Sequence, residues 1–100
     1  MDQSIFAHRV IQPAGVMLRQ MDDESVLLNL DTGRYYGLDD VGTHLYGLIV
    51  AAPTLDAAFD AAQREYDVSA DALRDDISTL VTRLVEEGLL EIRDAEEPAG

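Results

Sequence analysis

The side chains that carry out most enzyme chemistry are sparse in this sequence. It contains two histidines, His8 and His44, and no cysteine, so it offers no thiolate ligand, thiol nucleophile or disulfide. The histidines are not spaced as a His-x-x-x-His pair, which gives a zinc site little support. No serine stands in a Gly-x-Ser-x-Gly elbow. We therefore predict that the protein is not an enzyme and needs no metal or cofactor.

Pairs of acidic residues are the other groups that could exchange protons. They occur in predicted turns or on predicted helices, where solvation accounts for them, at 22–23, 75–76 and 86–87. No glycine-rich phosphate loop follows a strand, because DTGRYYG has the spacing of a hairpin. An acyl-carrier protein is also excluded, since the first predicted helix opens LDDVGTHL and lacks the serine that would hold the cofactor.

The composition bounds the class of protein. The chain has 100 residues, of which 47% are hydrophobic, enough for one domain with a modest core. The 20 acidic and 7 basic residues give a net charge of −13, which repels nucleic acid and anionic membranes and attracts basic partners. There is no signal peptide and no apolar run long enough to span a bilayer. We predict a soluble, cytoplasmic protein with no nucleic-acid or membrane partner.

Turn residues divide the first part of the chain into short strands. Apolar patterning predicts strands over 16–21, 26–30 and 34–38, and only a weak strand pattern over 5–11. The sequence 31–33, Asp-Thr-Gly, fits a three-residue hairpin loop in which the glycine takes the left-handed conformation. The strands would form an antiparallel meander, with RYYGL at one edge and its two tyrosines on opposite faces.

Three helices follow. Asp39 or Asp40 caps the first, Thr54 caps the second, and Ser69 caps the third, which ends at Gly88. Each carries apolar residues at helical spacing on one face.

The predicted fold is α+β and winged helix-turn-helix-like, a three-stranded antiparallel sheet followed by three helices. It forms a single domain over 1–100, with a core of about 16–92 and flexible termini. LLEI adds a short extended piece before a frayed tail over 93–100.

A winged-helix shape is also compatible with DNA binding through the third helix. The exposed side of that helix carries five acids against two arginines, namely Asp71, Asp75, Asp76, Glu86 and Glu87 against Arg74 and Arg83. Acids so close to phosphates are strongly unfavourable, which makes a DNA-binding regulator the disfavoured alternative.

The edge strand RYYGL suggests a different use. An edge exposes unpaired backbone N–H and C=O groups and can accept an extended peptide as an added strand. The pattern alone leaves open a simpler interpretation, in which both tyrosines are strand formers that only pack the domain. The same edge could pair with a second copy, so a monomer or a weak homodimer is expected.

The segment VLLNLDTGRYYGLDDVGTHLYGLI resembles the signature of PqqD-like proteins, the recognition elements for precursors of ribosomally synthesised and modified peptides. That signature is an apolar strand, an acid-Ser/Thr-Gly turn, a tyrosine-rich strand and an apolar helix. DDISTLVTRLVEEGLLEI is similar to the last helix of the family, and the likeness covers about 16–92. Asp39 stands where asparagine is usual, and Tyr46 where tryptophan is common.

The resemblance implies that a leader peptide binds as an extra antiparallel strand on the third strand, in a cleft against the third helix. The implied peptide-binding residues on the strand are Arg34, Tyr35, Tyr36, Gly37 and Leu38. Those on the helix are Leu73, Asp76, Ile77, Leu80, Val81 and Leu84, with Asp76 pairing with basic leader residues.

The resemblance also suggests partners. The chain looks most like the discrete recognition protein of lasso-peptide biosynthesis, which presents a precursor leader to a leader peptidase and so passes the core peptide to a cyclase. The alternative is a PqqD-type chaperone that delivers a precursor to a radical enzyme. Both roles use strand addition and anchor pockets, and they differ only in the partner.

Overall fold

The computed structural model of the chain describes residues 5–93. A short 3₁₀ helix, Ile5–Ala7, precedes four strands, three helices and a last strand. The strands are β1 Arg9–Ile11, β2 Val16–Met21, β3 Glu24–Asn29, β4 Tyr35–Leu38 and β5 Glu91–Arg93. The helices are α1 Asp40–Ala51, α2 Leu55–Glu65 and α3 Ala70–Glu86.

The predicted antiparallel meander is present, with strand order β2-β3-β4. Leu27, at the centre of β3, lies opposite Leu18 on β2 and Tyr36 on β4. The α+β, winged helix-turn-helix-like arrangement of three meander strands followed by three helices is therefore confirmed. Its strand bounds differ slightly from those predicted, because β3 already begins at Glu24 and β4 begins only at Tyr35.

A second, two-stranded sheet joins the two ends of the described chain. β1 pairs antiparallel with β5, and Arg9 lies opposite Arg93. Phe6 and Val10 are buried in the core, although they precede the predicted core of about 16–92. Within the weak strand pattern over 5–11, only Arg9–Ile11 forms a strand. The predicted frayed tail lies outside the described residues from position 94 onward.

Each helix begins at a residue whose side chain accepts a hydrogen bond from the first turn. The Asp39 carboxylate accepts from the Gly42 N–H at 2.7 Å, so Asp39 rather than Asp40 is the cap of α1. Thr54 and Ser69 cap α2 and α3 in the same way, as predicted. These caps satisfy N–H groups that lack a partner at a helix start.

The end of α3 is closed by a glycine in the left-handed conformation. Gly88 has φ +76°, and the Leu89 N–H donates to the Leu84 carbonyl at 2.8 Å. The Gly88 N–H donates to Val85, which completes the Schellman arrangement. Leu84 and Leu89 are fully buried, so this turn fixes the end of α3 firmly against the core.

One apolar core lies between the meander and the helices. Its most buried members come from every layer and include Leu27, Ile49, Leu55, Ile77 and Leu84. The buried Ser25 hydroxyl is paired, because the Ser25 and Thr43 hydroxyls lie 2.7 Å apart and join β3 to α1. The Tyr46 hydroxyl donates to the Gln12 side-chain carbonyl at 2.6 Å, and burial raises the pKa of Tyr46 well above its usual range.

Two exposed glycines provide a test of this backbone. Gly33 has φ +79°, so Gly33→Ala should lower the free energy of unfolding by about 1 kcal/mol through backbone strain. Gly47 lies inside α1 with open space around it, so Gly47→Ala should raise the free energy by roughly 0.5–1 kcal/mol. Urea unfolding measures both, and equal effects of the same sign would contradict the left-handed turn at Gly33.

Candidate functional site

Strand β4 forms one of the two edges of the meander, and β2 forms the other. Within residues 5–93, β4 pairs with β3 on one side and with no strand on the other. A free edge of this kind presents a row of unpaired backbone groups to the solvent. This edge is the feature from which the site is built.

The turn between β3 and β4 fixes which backbone groups point outward. The Asn29 N–H donates to the Arg34 carbonyl and the Gly33 N–H donates to the Asn29 carbonyl, both at 2.8 Å, as in a bulge closed by glycine. Because hydrogen-bonded and non-bonded pairs alternate along an antiparallel ladder, Tyr36 and Leu38 bond inward to β3. The N–H and C=O groups of Tyr35 and Gly37 therefore point to the open edge.

The side chains of β4 alternate between two environments. Leu38 is buried and Tyr36 is half-buried against the core, so both lie on the inner face of the sheet. Tyr35 is 73% exposed, and it shares the outer face with Gly37. One tyrosine thus packs the domain while its neighbour stands in solvent.

The predicted residues of α3 fall into two sets. Four of them are core residues, each no more than 3% exposed, namely Leu73, Ile77, Val81 and Leu84. Leu80 is half-buried at the margin of the core and Asp76 is exposed. The four core residues hold α3 against the core. Leu80 and Asp76 are the two predicted residues of this helix that are accessible at the surface.

A direct contact shows which side of α3 faces β4. Asp76, Leu80 and Glu87 recur at spacings of four and seven residues and so lie on one side of the helix. Glu87 pairs with Arg34, immediately before β4, with 2.6 Å between Oε1 and Nη1. Asp76 and Leu80 therefore lie on the same side of α3 as Glu87, whose carboxylate contacts the residue before β4.

A second contact joins the end of β3 to the residue just past α3, and we call the two contacts together the hairpin clamp. Asn29 Nδ2 donates to the Gly88 carbonyl at 2.8 Å, just past the end of α3. The Asn29 Oδ1 accepts from the N–H groups of Asp31 and Thr32, which orders the turn. The hairpin clamp, Asn29–Gly88 and Arg34–Glu87, therefore ties the turn between β3 and β4 to the C-terminal end of α3.

Sequence reasoning missed part of this clamp. It did not single out Asn29 or assign a role to Glu87, although it included Arg34 among the peptide contacts. An asparagine at the end of a strand and before a turn is a recognised signal for a side-chain-capped turn. That signal was available for Asn29, whereas the reach of Arg34 to Glu87, 53 residues away, depends on the tertiary fold.

The charge along the cleft is negative. Among residues 5–93, Asp76 takes part in no ion pair, so its carboxylate is available to a basic side chain. Glu87 is already neutralised by Arg34. This side of α3 therefore presents one unpaired acid, Asp76, one helical turn before the half-buried Leu80.

Other depressions lie away from this cleft. A groove of about 550 Å³ between the β2–β3 turn and α1 is lined by Gln20, Asp23, Asp40, Thr43, His44, Gly47 and Leu48. A smaller one of about 270 Å³ lies on another side of α3, at Ser78, Thr79, Thr82, Arg83 and Glu86. Neither contains a residue of the predicted site.

Beside the larger groove, polar groups are engaged with one another. His44 Nε2 lies 2.6 Å from Glu65 Oε1, and the His44 ring meets Tyr66 edge to face. Burial, followed by the charges of Glu65, Asp40 and Asp39, raises the pKa of Tyr66. No cluster in the described part of the chain has the side chains to hold a metal ion. None of the described helices combines the length and apolarity that crossing a membrane requires.

The fold and the site define a class of small α+β domain with an open strand edge clamped beside its last helix. The family model for coenzyme PQQ synthesis protein D (PqqD) matches residues 24–90. The chain belongs to the PqqD family, as the resemblance in the hairpin and the last helix predicted. No curated protein sequence matches it.

Two solved structures are similar over most of the chain. The structure of TbiB1 in complex with the TbiA(beta) leader peptide has a TM-score of 0.72 and 32% identity, and the match covers 90% of this chain and 99% of that one. A lasso peptide synthetase B1 complexed with the leader peptide has a TM-score of 0.71 and 25% identity, with coverage of 83% and 98%.

The hairpin clamp can be tested by replacing one amide group. Asn29→Asp keeps the oxygen that orders the turn but replaces the donor to Gly88 with a second acceptor, so it should lower the free energy of unfolding by about 1–3 kcal/mol. The matched control Asp31→Asn makes the reverse exchange two residues away, where no clamp contact is lost. Urea unfolding compares them, and equal stability of the two variants would exclude the clamp.

Proposed function

We propose that this chain binds the leader segment of a ribosomally made precursor peptide as an added strand on β4. The observation that carries the proposal is the open edge at Tyr35 and Gly37, clamped beside the side of α3 that holds Asp76 and Leu80. The similar structures of TbiB1 and of a lasso peptide synthetase B1 contain leader peptides, which supports the same use here.

Backbone pairing alone would bind such a peptide too weakly. Four outward groups on β4 can form about four new hydrogen bonds, each contributing roughly 0.5–1.5 kcal/mol. A micromolar dissociation constant requires about 8 kcal/mol, in addition to the cost of ordering the peptide. Apolar anchors must supply the difference. Peptide residues on the inner face of the added strand would place them against Tyr36 and Leu80, beside the apolar core.

The predicted site residues take different roles in this proposal. Tyr35 and Gly37 supply backbone partners, while Tyr36, Leu80 and Asp76 contact the peptide side chains. Arg34 acts through the hairpin clamp. The buried residues set the shape of the cleft without touching the peptide, and they are Leu38, Leu73, Ile77, Val81 and Leu84.

The proposed role in the pathway is presentation rather than catalysis. We propose that the chain works in the cytoplasm without a cofactor, as a monomer or weak homodimer. It would present the leader to a leader peptidase, so that the released core peptide reaches a cyclase. The lasso-peptide protein among the similar structures favours this pathway. The PqqD family match keeps a peptide chaperone for a radical enzyme as the second candidate. The acids along α3 disfavour a DNA-binding regulator.

Strand addition makes opposite predictions for two neighbouring tyrosines. Tyr35→Pro removes an outward N–H on an edge, where proline is tolerated, so the domain should fold but bind a labelled leader peptide about tenfold more weakly than Tyr35→Ala does. Tyr36→Pro removes an N–H that bonds to β3, so it should instead destabilise the hairpin.

Fluorescence anisotropy measures this binding, with the leader encoded by the nearest precursor gene and a scrambled leader as control. Circular dichroism must show that Tyr35→Pro is folded. If the wild-type protein fails to distinguish the leader from the scrambled peptide, alone and with the partner peptidase present, the proposed function is wrong. If Tyr35→Pro binds as tightly as Tyr35→Ala, the peptide does not pair with β4.

The unpaired acid of the cleft gives an electrostatic prediction. Asp76→Lys should weaken leader binding several-fold at low salt, because it places a cation where the basic residues of a leader would pair, and the loss should shrink at high salt. Asp75→Lys is the matched control, since it makes the same charge change on another side of α3. Equal affinities of the two variants at low salt would remove Asp76 from the site.

A further inference from the structure

Gly37 occupies a position where the fold does not require glycine. It lies inside the four-residue strand β4, it is exposed, and its φ is outside the left-handed region that Gly33 and Gly88 adopt. A Cβ atom built at Gly37 would meet nothing within 4 Å. Glycine weakens a strand, and in a strand interior it often marks a place where a ligand or another backbone approaches closely.

Because Gly37 has no side chain, the space beside it on the outer face of the sheet is open. Gly37 lies directly opposite Val26 on β3, and Tyr35 lies opposite Leu28. Val26 and Leu28 are half-buried, whereas the Tyr35 ring is 73% exposed. We call this open space the Gly37 notch. It is bordered by Val26 on the neighbouring strand β3 and by Tyr35 on β4 itself.

The direction of the backbone groups places a bound peptide next to this notch. Because the N–H and C=O of Gly37 point to the open edge, one residue of an added antiparallel strand would exchange both hydrogen bonds with Gly37. In such a pair the two Cα atoms lie about 5.5 Å apart and the side chains share a face. The side chain of that peptide residue would therefore emerge on the outer face, beside the position where Gly37 has none.

We propose that the Gly37 notch is a specificity subsite that receives a large apolar, preferably aromatic, side chain from the leader residue opposite Gly37. This inference rests on the proposed function. An aromatic side chain can lie across a glycine on the neighbouring strand, where it covers the exposed backbone and contacts the residues beyond. Here it would reach Val26 and lie against the Tyr35 ring.

The notch is distinct from the cleft against α3, which lies on the inner face with Tyr36 and Leu38. Side chains on both faces of a leader strand bound at β4 would therefore contact the protein. The inner face selects side chains for the cleft, and the outer face selects one side chain for the notch. The notch also explains why Tyr35 remains exposed in the protein without peptide.

Two substitutions fill the notch in steps. Gly37→Ala should weaken binding of the labelled leader peptide about threefold, and Gly37→Val about thirtyfold, because the added carbons occupy the space that the peptide side chain needs. A Cβ atom at this position meets nothing within 4 Å, and alanine and valine both suit a strand better than glycine, so the unfolding midpoint should stay the same or rise. Gly47→Ala, a glycine in equally open space on α1, is the matched control and should leave affinity unchanged.

An alanine scan of the leader peptide identifies the side chain concerned. With the wild-type protein, alanine at one large apolar leader position should weaken binding strongly. With Gly37→Val, the same alanine substitution should weaken binding much less, whereas alanine at the other leader positions should have the same effect on both proteins. Gly37→Val binding as tightly as the wild-type protein, or more tightly, would overturn the notch. So would a scan in which no position couples to Gly37.

The outcomes distinguish a failure of the Gly37 notch from a failure of the proposed leader-binding function. If the wild-type protein binds the leader and Tyr35→Pro weakens binding, while Gly37→Val has no effect, strand addition stands and the notch fails. If the wild-type protein does not discriminate the leader from a scrambled peptide, the proposed function fails first.

Discussion

The contact between Asn29 and the Gly88 carbonyl ties the end of β3, where the hairpin turns into the edge strand, to the end of the last helix. An edge strand by itself binds other chains without selectivity, because its unpaired backbone groups can form hydrogen bonds with any extended chain. A helix held at a fixed distance turns that edge into a cleft, and the width of the cleft then decides which side chains fit. The contact works because both of its ends are rigid, since Asn29 caps its own turn and Gly88 closes α3 against buried Leu84 and Leu89.

The strong negative charge acts on the same arrangement. Winged helix-turn-helix domains usually present basic residues on the last helix, and here that helix carries acids that would face phosphate. Under the proposed function, the same shape would instead suit a peptide with basic residues. Electrostatic attraction of this kind acts mainly on the rate of encounter, while pairing on the edge and apolar anchors set how long the complex lasts.

Local signals made much of the fold predictable from the sequence. Gly33 and Gly88 mark left-handed turns, and Asp39, Thr54 and Ser69 mark helix starts, because each meets a requirement that arises within a few residues. The pairing of β1 with β5 was not predictable, since three-residue strands carry too little pattern and their pairing joins distant parts of the chain.

For the site, the sequence predicted that the two tyrosines face opposite ways. It could not predict that the backbone N–H and C=O of Tyr35, rather than those of Tyr36, point away from β3. The bulge at Gly33 and Arg34 determines which residues of β4 form hydrogen bonds with β3. Nor could the sequence separate core from surface on α3. Leu80 and Val81 are adjacent and both apolar, and only the packed structure shows that Val81 is buried completely while Leu80 keeps a surface.

The small β1–β5 sheet has a consequence for how this domain can be combined with others. Because Arg9 and Arg93 lie opposite each other, two parts of the chain near the ends of the described domain are held side by side, and neither strand belongs to the meander that carries β4. A second protein domain fused before Ile5, so that Phe6 keeps its place in the core, or after Arg93 would therefore be tethered within a few residues of this sheet. The order of the two domains along a fused gene would matter little, and the effective concentration of the attached domain near the peptide would depend on linker length rather than on which end was joined.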